Sequence, residues 1–220
     1  MIFRSARCSV CLPCSCFFLF FVFLFPSSPA LGAESEARQR LERTINAVLT
    51  ELNKPEFRNP ASQPQVLASV ETIILTLFDF NELSMRTVGP TWRSFSEDQK
   101  ARFQTAFTNL LRETYLGKLN GYEGETVSYL GESSSSDGKR AEIQTSVDVM
   151  GKPVPVAYRM ILKTDWVVYD IIIEGVSMVQ NYRTQFQDLL SRGSIEQLIR
   201  LVDDKAGEVR ELNRRQRAGS

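Results

Sequence analysis

The stretch WVVYDIIIEGVSMVQNYRTQF, Trp166 to Phe186, changes its period in the middle. Before the break, Val167, Tyr169, Ile171 and Ile173 form one alternating set, and Asp170 falls in the opposite set with Trp166, Val168 and Ile172. After Glu174-Gly175 the positions Met178, Tyr182, Phe186 and Leu189 recur at three or four, the spacing of one helical face. A core strand, a turn at Gly175 and a core helix is one reading. A carboxylate beside tyrosines at a bend also admits a catalytic reading, and the two lead to different proteins.

Working upstream, GKPVPVAYRMIL supplies a partner strand whose inward set is Val154, Val156, Tyr158, Met160 and Leu162. Pairing must bring apolar sets to one face, so a two-residue connection, Thr164-Asp165, predicts Tyr158 opposite Ile171 and Met160 opposite Tyr169. Pro155 points outward and marks an edge or a bulge. AEIQTSVDV alternates, with Ala141, Ile143, Thr145, Val147 and Val149 against Glu142, Gln144, Ser146 and Asp148. ETVSYLGE makes a first strand, giving four antiparallel strands. Ahead of them, Leu41, Ile45, Val48 and Leu52 mark a helix, and Val66, Val70, Ile73, Ile74 and Leu77 a second. FDFNELSMRTVGPTW reads as a short turn or helix ending at Gly89-Pro90. Ser96 to Gln99 has the form of a capping box, opening a helix with Phe103, Phe107, Leu110, Leu111 and Tyr115 on one side. Behind the sheet, Ser194 to Gln197 caps a last helix, and from Lys205 the chain reads as a frayed basic tail. The fold class is α+β, a four-stranded antiparallel sheet with helices packed on one face.

Composition narrows the chemistry. In this chain of 220 residues, Arg4 and Arg7 precede the nine-residue apolar run FFLFFVFLF, Phe17 to Phe25, and small residues surround Gly32-Ala33. This is the layout of a secretory signal peptide over residues 1–32, cleaved near Gly32-Ala33. Nine helical residues reach about 14 Å, against about 30 Å of bilayer hydrocarbon, so a permanent anchor is not expected. All four cysteines precede the apolar run, so the exported domain, residues 33–205 with a polar tail over 206–220, has no disulfide framework. Without Arg4 and Arg7 the chain has 24 basic residues against 26 acidic ones, which argues against nucleic acid as a partner. There is no histidine. The usual nucleophile triads and ordinary zinc sites are therefore excluded.

The segments FDF (Phe78 to Phe80), GPTW (Gly89 to Trp92), SEDQKARFQTAFTNLLRETY (Ser96 to Tyr115), GKPVPVAYRM (Gly151 to Met160) and the opening stretch resemble, in this order, the MlaC or toluene-tolerance auxiliary family. The resemblance covers roughly Arg38 to Asp203. It implies a sheet similar to that of nuclear transport factor 2, with added helices enclosing an apolar cavity. It implies a soluble periplasmic carrier without covalent chemistry, with phospholipid as cargo and no cofactor or metal. The implied partners are an inner-membrane ABC transporter with a substrate-binding ring and an outer-membrane lipoprotein complex. Exposing the roughly thirty methylenes of a two-tailed lipid to water costs on the order of 24 kcal/mol, so such a carrier needs an interior cavity. A close relative dedicated to another lipid, such as a hopanoid, is an alternative. An exported hydrolase or isomerase using Asp170 or Glu174 with a tyrosine is the rival from another class.

The apolar stripes are core in any α+β protein, and the resemblance adds cavity lining as a second role. The candidate lining residues are Trp92, Phe103, Phe107, Leu111 and Tyr115 from the helical half. From the strands come Ile143, Val147, Val149, Val156, Tyr158, Met160, Tyr169, Ile171 and Ile173, and from the following helix Met178 and Tyr182. Met160 and Met178 suit a pliable wall. Arg183 is a candidate for a headgroup phosphate, with a surface ion pair as the alternative.

Overall fold

The computed structural model describes residues 34–218. The signal peptide reading therefore lies outside the described residues.

Local chemistry fixes the helical half. In α1 (Glu36–Leu52), Ser35 caps the start by accepting from the Arg38 N–H, and Leu41 and Leu52 are buried. Pro55 opens a 3-10 turn, Pro55–Arg58, and Pro64 sits in the first turn of α2 (Gln63–Leu75), where its missing N–H costs nothing. Asp79 caps α3 (Phe80–Val88), accepting from Glu82 N–H at 2.9 Å. The capping box of α4 (Glu97–Leu116) is formed in both directions: Gln99 N–H donates to Ser96 Oγ at 3.2 Å, and Ser96 N–H donates to Gln99 Oε1 at 3.0 Å.

The sheet is an antiparallel meander of five strands, β1 (Thr126–Ser134), β2 (Arg140–Val149), β3 (Lys152–Leu162), β4 (Trp166–Ile173) and β5 (Val176–Ser177), in sequence order. The fifth strand was not expected. Glu174 and Gly175, at φ 50° and 82°, form a two-residue hairpin turn with both central residues left-handed. That geometry matches the twist of the flanking strands, so the chain turns back for two residues before helix α5 (Met178–Arg192) begins at its cap, Ser177.

Register departs from expectation in β4. Tyr158 does pair with Ile171, but Met160 pairs with Val168, not Tyr169. The connection Lys163-Thr164-Asp165 has three residues, and the ladder shifts between Arg159 and Met160, leaving Tyr169 as the extra residue of a β-bulge. The bulge reverses the alternation of the strand's first half. Trp166 and Val168, read as outward, are buried on the face of Met160 and Ile143. The free edge of β4 at this point is covered by the Leu77–Asp79 segment, which exchanges hydrogen bonds with Val168 at 2.7 and 3.2 Å.

Three packed groups hold the described residues together. Phe103 and Phe107 of α4 stack on each other and meet Tyr182 and Phe186 of α5 edge-on, with centroids 5.0–5.8 Å apart. Ala37 and Leu41 of α1 pack on the sheet residues Ala141, Ile143, Met160 and Val168. Leu52, Phe57, Val66 and Val70 join α1 to α2. The opposite sheet face is polar, with Arg159 bound to Glu142 at 2.8 Å. The segment after Lys205 is not frayed: α6 (Ile195–Ala218) continues through it. Val202 and Ala206 are buried, and Asn213 donates to the Glu113 carbonyl on α4 at 2.8 Å, so the basic residues sit on the outer side of a docked helix.

Candidate functional site

Between the helical half and the sheet lies a cavity of about 470 Å³. This is a usual size for a small-molecule site. One wall is α1, where Ile45, Val48, Leu49 and Leu52 lie on successive turns of one face. Ile74 and Leu75 of α2 with Leu77, Phe78 and Phe80 make the second wall. Leu111, Tyr115 and Leu116 of α4, continued by Leu119 and Tyr122, make the third. The floor is the sheet: Val127, Val147, Tyr158, Ile171 and Ile173, with Met178 at the start of α5. Pairing explains this floor, because Val127 lies beside Val147 and Tyr158 beside Ile171, so their side chains share one face.

Of the sixteen lining candidates, Leu111, Tyr115, Val147, Tyr158, Ile171, Ile173 and Met178 face the cavity. The others are placed elsewhere, for reasons the structure supplies. Trp92, Phe103, Phe107 and Tyr182 interlock with one another, Phe95 and Phe186 in the α4–α5 core, so no space adjoins them. Ile143 and Met160 are covered by Leu41 of α1. Val156 is buried beside Thr145, whose hydroxyl donates to its carbonyl at 2.9 Å. Val149 leads into the β2–β3 turn and is 37% exposed. Tyr169 sits on the bulge with the Arg86 guanidinium 4.1 Å from its ring centre. Arg183 lies over Gly89, where a Cβ would stand 3.1 Å from that guanidinium and where a φ of +71° favours glycine. The expected surface ion pair of Arg183 is not formed among the described residues. The lining residues that were missed belong mainly to α1, α2 and the Gly117–Glu125 segment. The apolar faces of both helices were legible, but which neighbour each face meets is not a property of spacing.

The electrostatics of the site suit an uncharged ligand body. Burial pushes the Tyr158 phenol up to about 12. Burial, with repulsion from Tyr115 as the next cause, pushes Tyr182 up to about 12 as well. Both stay protonated at neutral pH and cannot serve as phenolate bases. Asp170 is turned away from the cavity and fully engaged: it accepts from Ser177 Oγ at 2.7 Å, Val179 N–H at 3.0 Å and Arg159 at 3.3 Å. Its role is to pin the start of α5 to β4. Glu174 sits exposed in the hairpin turn. Neither carboxylate is placed as a cavity base. Among the described residues no group of three or more acidic side chains is arranged to hold a metal ion.

Residues 42–204 match the MlaC protein family model. The chain belongs to the MlaC family. A toluene tolerance protein of Pseudomonas putida is 29% identical over 119 residues, and the match covers 53% of this chain and 54% of that protein. The intermembrane phospholipid transport system binding protein of Haemophilus influenzae is 22% identical over 181 residues, covering 80% and 85% of the two chains. A solved phospholipid-binding protein from Ralstonia solanacearum, in complex with a phospholipid, aligns with a TM-score of 0.70 at 27% identity. That alignment covers 80% of this chain and 99% of the other. The fold of this family member is thus the α+β fold of a lipid-binding neighbour.

Proposed function

We propose that this chain is a periplasmic phospholipid carrier, exported by its N-terminal segment, that holds acyl chains in the cavity and moves lipid between membranes without covalent chemistry. The observation that carries this reading is the cavity itself. About 470 Å³ of space is lined mainly by aliphatic and aromatic side chains, in a chain whose structural neighbour binds a phospholipid. An apolar void of that size is a liability unless something fills it. The apolar lining also suits the cargo, since acyl chains must be screened from water to leave a bilayer. Its docking partners in this reading are an inner-membrane ABC transporter with a substrate-binding ring and an outer-membrane lipoprotein complex. Those partners set the direction, because a cavity and a bilayer bury the tails about equally well. Native mass spectrometry of the mature protein, purified from cells without detergent, should show a phospholipid bound one to one. A protein that is lipid-free and does not take up lipid from vesicles would refute the reading.

A further inference from the structure

The charged groups on the cavity wall are of two kinds. Glu71 and Arg112 face each other at 3.5 Å, and Arg112 also meets Glu113 at 3.2 Å, so these charges are answered within the α2–α4 seam. The other two, Lys118 and Glu125, are not. Both belong to the short segment joining α4 to β1, and both border the cavity. Lys118 is exposed, with its ammonium 5.6 Å from the Tyr115 ring centre, and it forms no ion pair among the described residues. Glu125 is half-buried and accepts only the Glu123 N–H, at 3.0 Å, with no cation paired to it among the described residues. They do not pair with each other. One cation and one anion are thus held apart on a single stretch at the edge of an apolar cavity.

We propose that Lys118 and Glu125 form a headgroup site for a zwitterionic phospholipid carrying a primary ammonium, as in phosphoethanolamine. The assignment rests on the carrier reading above and adds the headgroup class to it. With the tails in the cavity, the phosphate emerges at its edge, where the Lys118 ammonium meets it as a point charge. The ammonium end of the headgroup has three N–H donors, and the Glu125 carboxylate, with most of its acceptor capacity free, takes them. A phosphoglycerol headgroup has a net negative charge and no cation, so Glu125 repels it. A phosphocholine headgroup has the charge but no N–H donor, and falls between the two. Because both side chains are in contact with water, each contact changes affinity by about one-and-a-half- to fivefold, the range of exposed ion pairs.

The test equilibrates the mature chain with vesicles of equal phosphatidylethanolamine and phosphatidylglycerol bearing identical acyl chains, then reads bound lipid by native mass spectrometry. The wild type should carry about three times more of the ethanolamine lipid. Glu125→Gln should bring the ratio close to one, and Lys118→Gln should lower loading of both lipids. A wild-type ratio of one, or a preference that survives Glu125→Gln, overturns the headgroup assignment while leaving the carrier reading intact. Loading of neither lipid overturns the carrier reading and this assignment with it. Glycerophosphoethanolamine, the same headgroup without tails, should not compete; competition would assign the site to a soluble phosphodiester and overturn the lipid assignment.

Discussion

Removing lipid from the mature protein should lower its melting temperature, and the size of the effect can be bounded. At about 24 cal/mol per Å³, an unrelaxed void of about 470 Å³ costs about 11 kcal/mol. Domains of this kind have only about 5–15 kcal/mol in total, so the empty state must close part of the space. The wall best able to move is α2, which buries only Val66 and Val70 and leaves Leu75 40% exposed. If α2 moves in and recovers three quarters of the cost, about 3 kcal/mol remains. For a chain of this length that corresponds to a drop of about 6–12 °C. Differential scanning calorimetry would compare protein as purified, protein stripped in organic solvent and refolded, and stripped protein reloaded from vesicles. Recovery on reloading is part of the prediction. Stripped and loaded samples melting within about 1 °C of each other would refute the reasoning, because the cavity would then be either absent in solution or indifferent to its contents.

Ile171→Trp should fill part of the floor beside Tyr158, lower lipid uptake, and give an empty protein at least as stable as stripped wild type; calorimetry with native mass spectrometry checks both halves. Asp170→Asn should cost about 2–3 kcal/mol in urea unfolding, since the carboxylate that ties Ser177, Val179 and Arg159 together loses its charge while buried. Lipid loading should survive that substitution, whereas loss of all function with an intact fold would favour the hydrolase reading. Glu82 gives a pH signature. Burial alone would raise its carboxyl, but Lys163 at 2.9 Å and Arg86 at 2.6 Å outweigh it and hold the group below its ordinary 4.5. A depressed folded-state value contributes stability above the ordinary one and loses it as pH falls through the folded value. Glu82→Gln should therefore flatten the decline of the urea midpoint on the acid side of about pH 4.5 and change its slope little near neutrality.

Periodicity carried the element types because burial of one face is a local demand on spacing. Ser96 and Gln99 announced the start of α4, and the alternation of Ala141 to Val149 announced β2; both signals lie within ten residues and need no partner. The absence of histidine and the ordered motifs that resemble the MlaC family were legible in the same way. The tail after Lys205 was misread because its few apolar positions, Ala206 and Val209, look sparse until α4 supplies the surface they dock on.

The cavity was not legible residue by residue. Phe103 and Leu111 stand eight positions apart on α4, and both are buried, yet Phe103 is surrounded by Phe186 and its neighbours while Leu111 also borders the cavity. A hydrophobic side chain has the same sequence signature whether its neighbour is another side chain or a ligand, since both remove it from water equally. The stretch Trp166 to Phe186 shows the same division. Its sequence determined a strand, a turn at Glu174-Gly175 and an amphipathic helix, because each is set by dihedral preference and spacing. The bulge at Tyr169 was decided by tertiary structure alone. Only the pairing of β4 with β3, and with the Leu77–Asp79 segment on its other edge, fixes which of two apolar sets turns inward, and a one-residue shift exchanges them.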